Sequence, residues 1–167
     1  MSSPSPTISS PSETYLSGSD ELPKRIIVPL DGSDFSFRAA KYAINLAKVT
    51  GGEIICVHSV IELPYTEYMG VGTLTVSSYM NEIKKQTEQW ASQVRAMADA
   101  KGGVKTTADT IFNITSVAES IISYADEQRA DLIVMGTRGR AGLKRLVLGS
   151  VASGVVEHAT CPVLVVR

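Results

Sequence analysis

The sequence predicts an α/β fold, a five-stranded parallel sheet with helices on both faces. Two observations carry that class. Five short apolar runs rich in β-branched residues recur along the chain, and stretches of helical periodicity separate them. Strands alternating with helices connect through right-handed crossovers, which give a parallel sheet covered on both sides.

The elements follow in order. "RIIVPL" (Arg25–Leu30) is a short continuous apolar run, the mark of a strand buried on both faces. "DGSDFS" then makes a turn and a helix start. The helix that follows carries Ala39, Tyr42, Ala43, Leu46 and Ala47 on one face and stops at Gly51 and Gly52. "EIICVHSV" is the second strand, and "IELPYTEYMGVGTLT" has no periodicity and reads as a loop. From Val76 to Ala100, Met80, Ile83, Thr87, Trp90, Val94 and Met97 recur at helical spacing and form a core stripe. "GVKTTADTI" (Gly103–Ile111) alternates weakly and suits an outer strand. Ser116 and Glu119 have capping-box spacing, which opens a helix that ends near Arg129. "DLIVM" (Asp131–Met135) is the fourth strand, "SVASGVVEHA" a helix and "CPVLVVR" the fifth strand.

Composition narrows the function. The 167 residues are 44% hydrophobic, with a formal net charge of −1. That supports one domain with a full core and argues against nucleic acid or a membrane surface as a partner. Cys56 and Cys161 sit in or beside apolar runs and read as small core residues of a reducing compartment. Residues 1–22 are rich in serine, proline and acid and read as a disordered tail, leaving 23–167 as the domain. No basic start with an apolar centre marks a signal peptide, so the expected location is the cytoplasm.

A parallel sheet binds ligands outside the carboxyl ends of its strands, where the winding reverses. Two strand ends offer suitable loops, "PLDGS" after the first strand and "GTRGRAG" after the fourth, which places a crevice between them. From Gly136 to Ser150 the chain holds four glycines, four basic residues and no carboxylate. Bare backbone lets amides approach a phosphate, and the start of the last helix adds free donors and a favourable dipole. A Cβ on Gly136 is expected to collide with a bound ribose or phosphate, and Gly139 to permit the turn. The Ser150 hydroxyl can cap the helix or donate to a phosphate oxygen, and the amides of Ser150 and Val151 point into the crevice. The stretch matches neither the P-loop nor the G-x-G-x-x-G dinucleotide fingerprint.

Gly136-x2-Gly139-x9-Gly149-Ser150 resembles the G-x2-G-x9-G-[ST] signature of the ATP-binding branch of universal stress proteins, and the resemblance runs through everything after the tail. It implies strand order 3-2-1-4-5, an adenine nucleotide (ATP or AMP, with Mg2+ accompanying ATP), a homodimer through the C-terminal strand 162–167, and an unidentified protein partner. The implied nucleotide-binding set is Pro29, Leu30, Asp31, Ser59, Met135, Gly136, Arg138, Gly139, Arg140, Gly149, Ser150 and Val151. Asp31 and Ser59 would lie by the adenine, and Gly139, Gly149, Ser150 and Val151 would hold phosphates. Leu30 departs from the pattern, since ATP-binding relatives often carry a small polar residue there.

Other residues carry weaker signals. Asp31 suits a general base, a magnesium ligand or a turn residue that bonds locally. His58 and His158 lack metal-ligand spacing and read as structural or surface residues. Of Arg138, Arg140, Lys144 and Arg145, one or two are expected to neutralise phosphate. "PVLVV" is apolar on both faces at a sheet edge, which a second chain would cover. Phosphoryl transfer needs metal-binding carboxylates and a positioned nucleophile, and both are thin here. The leading function is therefore a dimeric nucleotide-dependent sensor or regulator in a stress response. A slow ATPase or nucleotide transferase and a nucleotide-independent interaction module are the alternatives.

Overall fold

A computed structural model describes residues 22–61, 73–113, 116–139 and 148–167. The expectations for the tail before residue 22, most of the loop after the second strand, and Arg140, Lys144 and Arg145 lie outside the described residues.

The described elements are β1 (Arg25–Pro29), α1 (Asp34–Thr50), β2 (Glu53–Ile61), α2 (Thr73–Asp99), β3 (Thr106–Asn113), α3 (Val117–Glu127), β4 (Leu132–Gly136), α4 (Ser150–His158) and β5 (Val163–Val166). The strands form one parallel sheet in the order β3-β2-β1-β4-β5. Side chains alternate across it. Ile26, Val28, Ile54, Cys56 and Val134 pack beneath α1 and α2, while Ile27, Val57, Ile133 and Met135 pack beneath α3 and α4. That double coverage explains why β1 and β4 read as unbroken apolar runs.

Polar contacts set the ends of these elements. The Asp131 carboxylate accepts from the backbone N–H groups of both Lys24 and Arg25 at 2.8 Å, which ties the start of β1 to that of β4. Gly51 closes α1 in the left-handed conformation with φ 67°, as two successive glycines at a helix end imply. At the start of α3 the Ser116 hydroxyl accepts from the Glu119 N–H, and the Glu119 carboxylate accepts from the Ser116 N–H. That is the expected capping box.

Three details correct the sequence reading. The buried face of α1 is Ala39, Ala40, Ala43, Ile44 and Ala47, and Tyr42 is 59% exposed. Small side chains let α1 lie close to the sheet, and Ala39 and Ala40 are fully buried in that contact. Helix α2 begins at Thr73, inside the stretch read as loop, because "TLTVSS" is poor in helix formers and hides the start. Its stripe holds at Thr87, Trp90 and Val94, while Met80, Ile83 and Met97 are half-buried. Finally, β5 starts at Val163, after Pro162.

The outer strands behave as edges. β3 is only partly buried along its length, and Leu164 of β5 is 40% exposed. Both cysteines are free, and burial pushes the Cys56 thiol up to about 12. Among the described residues no helix is long and apolar enough to cross a membrane.

Candidate functional site

A cleft of about 430 Å³ opens at the carboxyl ends of β1 and β4, where the chain winds away in opposite directions. On the β1 side, Leu30 spends its backbone on the fold. Its N–H donates to the Val57 carbonyl at 2.7 Å, and its carbonyl accepts from His58 Nδ1 at 2.7 Å. The Leu30 side chain is buried in the core, so the unusual apolar residue at this position is explained by packing. Asp31 follows, and its Oδ1 accepts from both the N–H (3.0 Å) and the hydroxyl (2.6 Å) of Ser33. Ser33 is the N-cap of α1, accepting from the Ser36 N–H. The local-bonding role considered for Asp31 is therefore present.

On the β4 side, three glycines have roles within the protein itself. A Cβ on Gly136 would meet the Phe35 backbone carbon at 2.9 Å, so glycine is needed there for close packing of the first turn of α1 on β4. Gly136 also lines the cleft, so the packing on Phe35 stands beside the collision with a ligand expected from the sequence. The Gly149 N–H donates to the Thr137 carbonyl at 2.8 Å, so this amide is spent within the protein. Gly139 does not carry a positive φ, so the turn alone does not demand glycine. A Cβ there would instead lie 2.5 Å from Asp31 Oδ2.

The start of α4 is built differently from that of α1. Its N-cap is Gly149, with no side-chain capping bond, and Ser150 is the first helical residue, exposed. The capping role considered for the Ser150 hydroxyl is thus absent. The first-turn amides of Ser150, Val151 and Ala152 have no acceptor inside the helix, and no acid lies in that turn. Arg138 lines the same cleft, with its guanidinium 5.7 Å from the centre of the Phe35 ring.

Eleven of the twelve expected residues line this one cleft, and the twelfth, Arg140, lies outside the described residues. Its lining combines apolar side chains, Val57, Met135 and Val117 and Ile121 of α3 among them, with Asp31, Arg138 and Ser150. Ser59 lies on β2, its Oγ accepting from Asn113 Nδ2 at 2.9 Å. Residues that sequence reasoning missed are Ser36, Val57, His58, Val117, Ile121 and Ala152. Neighbouring positions held a signal for several of them. His58 precedes Ser59, and Val117 and Ile121 repeat at i, i+4 on the covered face of α3. Among the described residues lining the cleft, Asp31 is the one carboxylate and Arg138 the one guanidinium. No group of three or more His, Cys, Asp or Glu that could hold a metal occurs among the described residues.

The universal stress protein family profile matches residues 23–167. The chain belongs to that family. It is 38% identical over 148 residues to the universal stress protein MJ0531 of Methanocaldococcus jannaschii, covering 89% of this chain and 84% of the relative. Among solved structures, that of MJ0577, another universal stress protein from the same organism, matches with a TM-score of 0.73 at 26% identity over 87% of this chain and 96% of that one. The universal stress protein of Archaeoglobus fulgidus in complex with dAMP matches at a TM-score of 0.64 and 22% identity, over 87% and 99% of the two chains. That last likeness concerns the fold.

Proposed function

We propose that this universal stress protein belongs to the ATP-binding branch of its family and acts in the cytoplasm as a nucleotide-dependent sensor or regulator. In this reading ATP or AMP lies in the cleft, with the base against the apolar wall of Val57, Met135 and Ile121. The phosphates meet the first-turn amides of α4, the Ser150 hydroxyl and Arg138. Mg2+ accompanies ATP, within reach of Asp31. The protein works as a homodimer through strand 162–167 and signals to a protein partner.

One observation carries the reading. The first-turn amides of α4, which find no acceptor within the helix and no carboxylate in that turn, belong to a cleft that Val57, Met135, Val117 and Ile121 also line. Gly149 contributes geometry to this cradle and not an N–H, which narrows the expected phosphate donors to Ser150, Val151 and Ala152. Binding is favoured over turnover because Asp31, the carboxylate of the cleft, is already engaged by Ser33.

Isothermal calorimetry with ATP and Mg2+, and with AMP, tests it. Ser150→Ala should weaken ATP binding by about 1.5–3 kcal/mol, the worth of a hydrogen bond to a charged group. Thermal stability should hardly change, since the hydroxyl caps nothing. Unaltered affinity in Ser150→Ala, or absence of binding by the native protein, would reject the site.

A further inference from the structure

His58 lies on β2 immediately before Ser59, and its ring does two things at once. Nδ1 is 2.7 Å from the Leu30 carbonyl oxygen. A carbonyl only accepts, so Nδ1 carries the proton. The ring also meets Trp90 of α2 edge to face, with centroids 5.0 Å apart and planes at 85°. Trp90 in turn lies under the next loop, where a Cβ on Gly32 would overlap its ring. The residues on either side of Asp31 are thus held by one pair of rings: Leu30 through a hydrogen bond, Gly32 through contact. Because a peptide unit is planar, holding the Leu30 carbonyl toward His58 turns the Asp31 N–H to the opposite side of the strand end.

We propose that His58 is a positioning residue of the cleft, setting the Leu30–Asp31 peptide plane through its Nδ1–H bond with Trp90 as its backing. The inference rests on the nucleotide reading for its consequence in binding, and on the geometry alone for its consequence in the loop. Asp31 reaches Gly139 and Ser33 from one backbone orientation, and His58 and Trp90 maintain it. His58 itself need not touch the phosphates for its loss to loosen their site.

The test separates the bond from the packing. His58→Asn places an N–H donor where Nδ1 stood, His58→Gln moves the amide to the place of Nε2, and His58→Ala removes both. All three lose the ring against Trp90, so a packing role alone lowers thermal stability and ATP affinity alike in all of them. Positioning predicts a split. By calorimetry His58→Asn should bind ATP and AMP near the native level, and His58→Gln and His58→Ala about fivefold to tenfold more weakly, the effect of one neutral hydrogen bond. In nucleotide-free full-length protein, the Ser33 amide, held by Asp31 Oδ1, should exchange faster in the Gln and Ala variants and at the native rate in the Asn variant. Asn and Gln variants that behave alike in both measurements would overturn the proposal. A native protein that binds neither ATP nor AMP would instead remove the nucleotide reading, and Ser33 exchange would still decide the role of His58.

Discussion

The Asp31 carboxylate and the Gly139 backbone meet across the cleft from separate loops, so close that a Cβ on Gly139 would lie 2.5 Å from Asp31 Oδ2 and 3.6 Å from its Cγ. Rotation of the carboxylate would relieve the clash, but Oδ1 is held by two bonds from Ser33. Glycine at position 139 thus preserves the Asp31 arrangement more than it permits a turn.

Gly139→Ala should therefore cost about 1–2 kcal/mol of stability, as the side chain displaces Asp31 from Ser33. It should also weaken ATP binding. Urea titrations of Gly139→Ala, Asp31→Ala and the double variant form a cycle in which removing Asp31 restores the space. The double variant should be more stable than the sum of the two losses allows, with a coupling of about 0.5 kcal/mol or more. Additive losses would show that the two residues do not compete for the same place.

Gly32 is constrained twice over. Its φ is +78°, and its missing Cβ would overlap the Trp90 ring. The conformation alone costs a non-glycine residue about 1–2 kcal/mol, and displacement of a packed indole adds to it. Gly32→Ala should lose more than about 2 kcal/mol in chemical unfolding, with altered emission from Trp90, the chain's single tryptophan. Stability within experimental error of the native protein would mean that the loop and Trp90 move apart freely.

Acid should weaken the lower end of the sheet. Lys105 (2.5 Å) and Arg25 (3.0 Å) both bond the Glu53 carboxylate. These bonds, that of Lys105 foremost and that of Arg25 next, hold its pKa below the ordinary value against a smaller opposing effect of burial. A carboxylate with a depressed folded pKa binds fewer protons folded than unfolded. Its stabilisation is therefore present above the ordinary glutamate value of about 4.3 and lost as the pH falls below it. Lys105 is well exposed, which limits the effect to about 0.2–1 kcal/mol. Glu53→Gln should lower stability at neutral pH and match the native protein in strong acid. A deficit that persists unchanged to low pH would assign the loss to something other than charge.

The fold was legible because burial on both faces writes itself into β1 and β4 as unbroken apolar runs, and because glycine and capping residues mark helix ends at Gly51 and Ser116. The cleft was legible because the glycines and Ser150 stand at the carboxyl end of β4 and the start of α4, where a parallel sheet opens its crevice. Sequence could not reveal what occupies the space a Cβ would take. Phe35 behind Gly136, Asp31 beside Gly139 and Trp90 under Gly32 are neighbours brought in by tertiary packing, and each gives its glycine a reason that no local pattern contains. His58 was missed for a similar cause. A histidine one residue from Ser59 looks like any half-buried strand residue until the Leu30 carbonyl and the Trp90 ring are set beside it. The turn of α1 that buries Ala40 and exposes Tyr42 likewise depends on how near the helix lies to the sheet.

The free edge of β5 gives a direct test of the proposed dimer. The carbonyls of Pro162 and Val166 accept from β4, at Ile133 and Thr137. In a parallel strand a residue's N–H and C=O point to the same side, and alternate residues point to opposite sides. Val163 and Val165 therefore aim their backbone groups at the open edge, where a second copy of the strand would pair. Val165→Pro removes one outward N–H and leaves every β4 bond in place, a substitution that edge strands accept. Across a two-fold axis the change deletes two bonds, about 1–3 kcal/mol in all, which should weaken the dimer by about fivefold or more. In sedimentation velocity the native protein should run as a dimer and Val165→Pro should shift toward monomer, with ATP binding kept because the cleft lies on the β1 side of β4. A native protein that sediments as a monomer, or a variant that dimerises as tightly as the native chain, would show that this edge is not where two copies meet.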